Sequence, residues 1–318
     1  MKNLRTRKAA LAGISFLFVF SFALARERYE EKFEKTAGLA KGGKVDVNNI
    51  SGDILVAVWS QDQVKIEAFK ISKASSLEKA KENAARVTIE VVEEGTVLRI
   101  ETKYPRSEGF WGRGSVDVSV DYKLWIPEWA GLKADNISGN ITAEAIGGTA
   151  DLSAISGNVT LKKAARGAEC STISGDLEVI EVVGDVFLKS VSGNVTARMI
   201  KGSLQAKTVS GDLELLDVSD AGRVEVEALS GEVVFRGRLN RQGTYRIKSH
   251  SGDVEMWLPA DSAFDFEAET FSGGIETDFE IKVIGRISPK EMTGVVNGGG
   301  ATVKLSSFSG DVRLKKAD

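Results

Sequence analysis

The residues able to do chemistry are few and scattered. In 318 residues there is one His, His250, and one Cys, Cys170. His250 stands beside Ser249, Ser251 and Asp253, the residue types of a nucleophile, its base and the acid that orients the base. A working triad needs those groups to converge, and neighbours around one turn are not thereby a triad. His250 is read as structural. Cys170 falls at an apolar repeat position and is read as a buried, inert thiol, and one His with one Cys cannot make a zinc site. Glu178, Glu214, Glu255 and Glu276 recur at one repeat position, where carboxylates on an exposed strand face could serve acid–base chemistry on a polysaccharide. They alternate with Thr, as solvation alone would arrange. No catalytic residue, cofactor or metal is assigned.

Two further groups invite a binding role. Asn140, Asn158, Asp176, Asn194, Asp212, Glu232, Asp253 and Asp311 form a run of acids and amides, with Asp53 apart. Carboxylates stacked at the strand spacing of about 4.8 Å repel by roughly 1 kcal/mol per pair in water, and the interleaved Asn relieves this. Calcium would relieve it too, but the G-G-x-G-x-D pattern of calcium-binding nonapeptides is missing. In the segment 105–115, Phe110, Trp111 and Arg113 lie among Gly112 and Gly114. Large aromatics beside an Arg in a loop are the best candidate contact patch.

The elements that must position these residues come from a repeat. Ser-Gly followed by a short polar residue recurs at Ser138, Ser156, Ser174, Ser192 and Ser210 with a step of 18 residues, then at Ser230, Ser251, Ser272 and Ser309 with steps of 20, 21, 21 and 37. The last step is close to two coils, and Ser51-Gly52-Asp53 is an isolated copy. Gly52, Gly139, Gly157, Gly175, Gly193, Gly211, Gly231, Gly252, Gly273 and Gly310 are the turn glycines. Gly can hold positive φ there, and the Asp or Asn side chain can bond nearby backbone N–H groups.

Stacking the repeats in columns gives inward positions led by Ile141, Ala143, Ile146, Ala150, Leu152 and Ile155. The equivalents of Ile155 are Ile173, Val191 and Val209. The apolar steps run 2, 3, 4, 2, 3, 4, a nine-residue half-unit used twice, with a second turn near Gly148, Gly167, Gly184 and Gly202. The six-residue spacing of a left-handed hexapeptide helix does not fit. The pattern predicts an all-β fold: a parallel β-solenoid, a right-handed β-helix of 18-residue coils, over residues 131–318. One coil cannot repay its ordering entropy alone, but stacked coils share backbone bonds and a core.

Residues 26–130 read as a β-rich N-terminal cap with one short helix near Ser75–Arg86, where Ser75 is the N-cap and Glu78 completes a capping box. Residues 1–25 read as a cleaved signal peptide. Lys2, Arg5, Arg7 and Lys8 precede the apolar stretch from Leu11 to Phe22 and Ala23-Leu24-Ala25, which is too short for the roughly 20 residues a membrane helix needs. Removing them leaves 38 basic against 45 acidic residues, a net charge of −7. That balance disfavours nucleic acid or anionic lipid as a partner. A single Cys excludes an internal disulfide.

Ile50-Ser51-Gly52-Asp53-Ile54 followed by Trp59, the strand ending Trp125-Ile126-Pro127, Val254-Glu255-Met256-Trp257-Leu258-Pro259, Phe271-Ser272-Gly273-Gly274-Ile275, Gly298-Gly299-Gly300 and Phe308-Ser309-Gly310-Asp311-Val312 resemble a bacterial domain family of unknown function labelled "putative adhesin". That family is related to the head GIN domain of autotransporter adhesins. The resemblance covers essentially the whole chain after residue 25. It implies a β-helical fold and export, to the periplasm or the cell surface, and offers no catalytic residues to carry over. The expected function is a non-enzymatic adhesin, or a binding or scaffold module for an unknown envelope protein or glycan. The alternatives are a polysaccharide-acting β-helix enzyme and a self-assembling structural protein. Lys315 and Lys316 on the last strand deter end-to-end pairing, so a monomer or small oligomer is expected.

Overall fold

The computed structural model describes residues 26–105, 116–284 and 288–317, and the expected signal peptide lies outside them. Each repeat folds as one coil of two strands. In one coil, Ala150–Ser156 and Val159–Ala164 are joined by Ser156-Gly157-Asn158. The first strand of every coil joins a 14-stranded front sheet and the second a 13-stranded back sheet. Equivalent residues of successive coils pair in parallel, Leu152 with Cys170 in front and Leu161 with Val179 behind. The fold is a two-sheet parallel β-solenoid.

The columns led by Ile141, Ala143, Ile146, Ala150 and Leu152 are buried as expected. The three-residue step from Ala143 to Ile146 has a local cause. Ala145, Lys163, Glu181, Met199 and Asp217 hold left-handed φ values of 62, 62, 57, 54 and 54°. One such residue per coil absorbs the extra position and returns the next side chain to the core. An L-residue in that region costs about 1–2 kcal/mol, a strain repeated at each bend.

The column of Ile155, Ile173, Val191 and Val209 is not inward. Ile155 and Ile173 are 47% and 48% exposed. The front strand keeps its period-2 alternation through Leu152, Ala154 and Ser156, which puts position 155 outside. The inward place belongs to Ala154, Thr172, Ser190 and Thr208. Small or hydroxylic residues occupy that place, and in some coils the hydroxyl donates to a turn glycine carbonyl of the adjacent coil: Thr172 Oγ1 to Gly157 O at 3.0 Å, and Ser307 Oγ to Gly252 O at 2.9 Å, whereas Ser190 and Thr208 make no such bond.

At the N-terminus the strands are β1 (Glu27–Gly38), β2 (Lys44–Ser51), β3 (Ile54–Trp59) and β4 (Gln63–Ala74); then come helix α1 (Leu77–Ala85), β5 (Thr88–Glu94), β6 (Val97–Lys103) and β7 (Val118–Pro127). Ser51-Gly52-Asp53 is not isolated. Ser51 pairs in register with Ser138, and Ile54 with Ile141, so β2 and β3 form the first coil. β7 pairs in parallel with β3, and β4 and β1 then add antiparallel strands that extend the back sheet beyond it. Ser76, not Ser75, caps α1, its hydroxyl accepting from Lys79 N at 3.3 Å.

The C-terminus departs from sequence order. The strand Ala301–Ser309 lies between Thr244–Ser251 and Phe264–Ser272. Val312–Ala317 likewise lies between Val254–Pro259 and Ile275–Thr277. The chain builds its outermost coil at Ser272, turns away through the antiparallel strand Glu291–Val296, and returns to insert its last coil inside. The 37-residue step is therefore one coil and an excursion, not two coils. Phe264, Phe266 and Phe279 pack edge to face at this end of the core, excluding water where the coils stop.

Candidate functional site

The turn serines define ten rungs in the order Ser51, 138, 156, 174, 192, 210, 230, 251, 309 and 272. Beneath them the glycines pack backbone against backbone. From Gly139 to Gly252 every turn Gly has φ between 133° and 154°. A Cβ on Gly193 would stand 1.9 Å from Gly175 O. Gly273 and Gly310 are not in the positive-φ region, yet a Cβ on either would meet the neighbouring glycine's carbonyl at 2.0 and 2.3 Å.

The acid and amide run is a hydrogen-bonded ladder. Asp53 Oδ1 accepts from Asn140 N at 2.8 Å, Asn140 from Asn158 N at 2.9 Å, Asn158 from Asp176 N at 2.9 Å, and Asp176 from Asn194 N at 2.8 Å. It continues through Asn194 and Asp212 to Glu232 N, and resumes from Asp253 to Asp311 N and from Asp311 to Gly274 N. Among the described residues no such bond runs from Glu232 to Asp253, at the one rung where a Glu stands in place of Asp or Asn. These side chains bond the next coil rather than their own turn. Donation from Asp311 N, then the Arg313 guanidinium, hold the Asp253 carboxyl below its ordinary pKa against the opposing effect of burial. Apart from Glu232, each ladder side chain has one oxygen occupied by a backbone donor, and no group of three or more His, Cys, Asp or Glu among the described residues is placed to hold a metal ion.

One residue before each turn serine, the outward column carries Ile50, Ile137, Ile155, Ile173, Val191, Val209, Leu229, His250, Phe308 and Phe271. Apart from Val191, which is half-buried, all of these are exposed. A ladder that is apolar at nine rungs and carries the His250 ring at the tenth thus crosses the front sheet, over about 43 Å at the strand spacing. Its last three members are stacked rings: His250 lies 4.9 Å from Phe308 at 9°, and Phe308 lies 4.8 Å from Phe271 at 3°. Phe271 is 73% exposed and borders an open groove of about 480 Å³ with Ser288, Lys290 and Glu291. Single exposed apolar residues are ordinary, but a contiguous stripe marks a contact surface.

The remaining candidates separate. Strand alternation places Ser249 inside, its hydroxyl 3.2 Å from Gly231 O, and His250 outside on Phe308, so no triad forms. His250 lies on the surface, as its column is the exposed ladder. Cys170 is fully buried, and desolvation pushes its thiol far above the usual range. Glu214 lies 3.4 Å from Arg198, Glu255 accepts from Trp257 Nε1, and Glu276 lies 3.6 Å from Lys315. Phe110, Trp111 and Arg113 lie outside the described residues. The ladder was legible as a column of apolar residues but was assigned to the wrong face. Counting by twos from Leu152 to the serine would have found it.

A two-sheet stack of parallel coils with one apolar outer stripe defines a class of rigid repeat protein that offers surface. Toastrack DUF4097 matches residues 43–315, and the chain belongs to that family, a domain of unknown function. Among solved structures, a putative adhesin of Bacteroides fragilis is similar at 12% identity and a TM-score of 0.39, over 89% of this chain and 97% of that one. One from Parabacteroides distasonis is similar at 13% and 0.36, over 90% and 97%. A putative cell adhesion protein of Clostridium sporogenes is similar at 10% and 0.23, over 91% and 100%. No curated protein matches the chain. No helix among the described residues is long and apolar enough to cross a membrane.

Proposed function

We propose that this is an exported, non-catalytic binding or scaffold module of the cell envelope, and that the outer face of the front sheet is its contact surface. The observation that carries this reading is the ten-rung ladder. Each half-exposed Ile would contribute roughly 1 kcal/mol on being covered, and a rigid sheet loses little entropy in presenting it. The positively charged, apolar N-terminus supports export. The engagement of Glu214 by Arg198, of Glu255 by Trp257 and of Glu276 by Lys315 supports a role without turnover.

Immobilised residues 26–318 are expected to retain a protein or glycan from envelope extracts. Ile155→Lys/Ile173→Lys is expected to lose it while keeping the far-ultraviolet circular dichroism of the parent. Failure across broad panels of envelope proteins and glycans would refute the binding role. Cleavage of an envelope polysaccharide that disappears in Glu178→Gln/Glu214→Gln would refute the non-catalytic one.

A further inference from the structure

We infer that the apolar ladder seats the same ladder of a second copy of this chain, giving a two-fold dimer through the front sheets. This rests on the reading that the ladder is the contact surface, and it names the partner. The area is sufficient. Ten rungs span about 43 Å, and the ladder with the column on either side of it is about 20 Å wide. Each copy would thus contribute roughly 850 Å², close to the ~800 Å² per partner of a standard stable interface.

Periodicity selects the partner. The ladder repeats at the strand spacing over all ten rungs, and a second surface covers every rung only if it carries apolar groups at the same interval. Another copy does so by construction. The stacked rings of His250, Phe308 and Phe271 then meet their own counterparts, which extends the contact to the end of the sheet.

Charge selects the orientation. On one side of the ladder runs the uncharged turn-serine column. On the other runs a mixed column that includes Asp135, Ser153, Ser171, Lys189, Lys207 and Glu227. A two-fold axis along the stack lays each serine column over the partner's mixed column, so no like charges face one another. Reversing one copy about the ladder's midpoint would set Lys189 against Lys207. The dimer therefore has parallel stacks, with both back sheets facing outward.

Sedimentation velocity on residues 26–318, which contain every described strand, tests this across micromolar concentrations. The parent is expected to be a dimer. Ile155→Lys/Ile173→Lys should weaken self-association by roughly 100-fold or more, because four ammonium groups, two from each copy, would be buried in the interface. Thr160→Lys/Thr196→Lys, on the outer face of the back sheet, should leave the dimer intact and control for charge and folding. A monomeric parent, or a dimer that survives the ladder substitutions, overturns the inference. A monomeric parent that still retains an envelope ligand through the ladder overturns the dimer and leaves the proposed function standing, whereas a ladder-dependent dimer that retains no ligand supports the dimer and removes ligand binding.

Discussion

Replacing Gly193 with Ala probes the contact on which the stack depends. Gly193 holds a φ of 142°, and an added Cβ would lie 1.9 Å from Gly175 O and 2.6 Å from Gly175 C. Both are backbone atoms of the adjacent coil, so no side-chain rotation relieves the overlap. The two turns must move apart by more than an ångström, which breaks the bonds from Asn194 N to Asp176 Oδ1 and from Leu177 N to Asn194 O. Strain at positive φ costs about 1–3 kcal/mol, and two lost hydrogen bonds cost about 1 kcal/mol each. The expected loss is about 3–5 kcal/mol. Thr196→Val, outward and half-exposed one strand residue later, should change stability by no more than about 0.5 kcal/mol. Denaturant unfolding measures both. Hydrogen exchange should show lost protection across residues 174–212, with β1 and β4 little affected, because each coil bonds only its neighbours. Equal unfolding midpoints for Gly193→Ala and Thr196→Val would refute the glycine-on-glycine account of the coil.

Ala145→Gly should stabilise the protein by about 0.5–1 kcal/mol in thermal unfolding, since the position is left-handed and Gly has no Cβ penalty there; Ala145→Val should destabilise it. Glu232→Asn should restore the missing rung of the side-chain ladder to Asp253 N and raise stability by roughly 0.5–1.5 kcal/mol, an idea sunk if the unfolding midpoint does not rise. The lowered pKa of Asp253 means that the unfolded chain takes up that proton first, near pH 4. The stability contributed by this carboxylate is complete above that pH and is lost as the pH falls through the folded-state value. Melting temperature against pH should therefore fall less steeply in acid for Asp253→Asn than for the parent, and parallel curves would contradict the assignment.

Much of the candidate surface was visible before the fold was known, though on the wrong side of the sheet. Ile155 and Ile173 were recognised as one column, yet residue type alone does not report which face a strand presents beside a turn. The inward place next to them is held by Thr172, Ser190 and Thr208, which resemble surface residues. Strand alternation puts Thr172 inside, and its hydroxyl meets a turn glycine carbonyl there only once two coils are stacked. The stacking of His250 on Phe308 likewise depends on the stack, since it joins residues 58 apart in a chain whose intervening coil lies farther out.

By itself the sequence determined the coil. The 18-residue step, the glycines that let two turns touch, the Asx residues and the aliphatic columns from Ile141 to Leu152 follow from local conformational limits and burial, and these act within each repeat. Only the tertiary structure decided which coil lies against which. Ser51 joins the stack across 87 residues of chain, and the coil at Ser309 inserts between those at Ser251 and Ser272. The backbone bonds between rungs are the same for every pair, so local chemistry cannot order them. The order is set by the paths the connecting segments can take and by the aromatic end, Phe264, Phe266 and Phe279, that must finish the core.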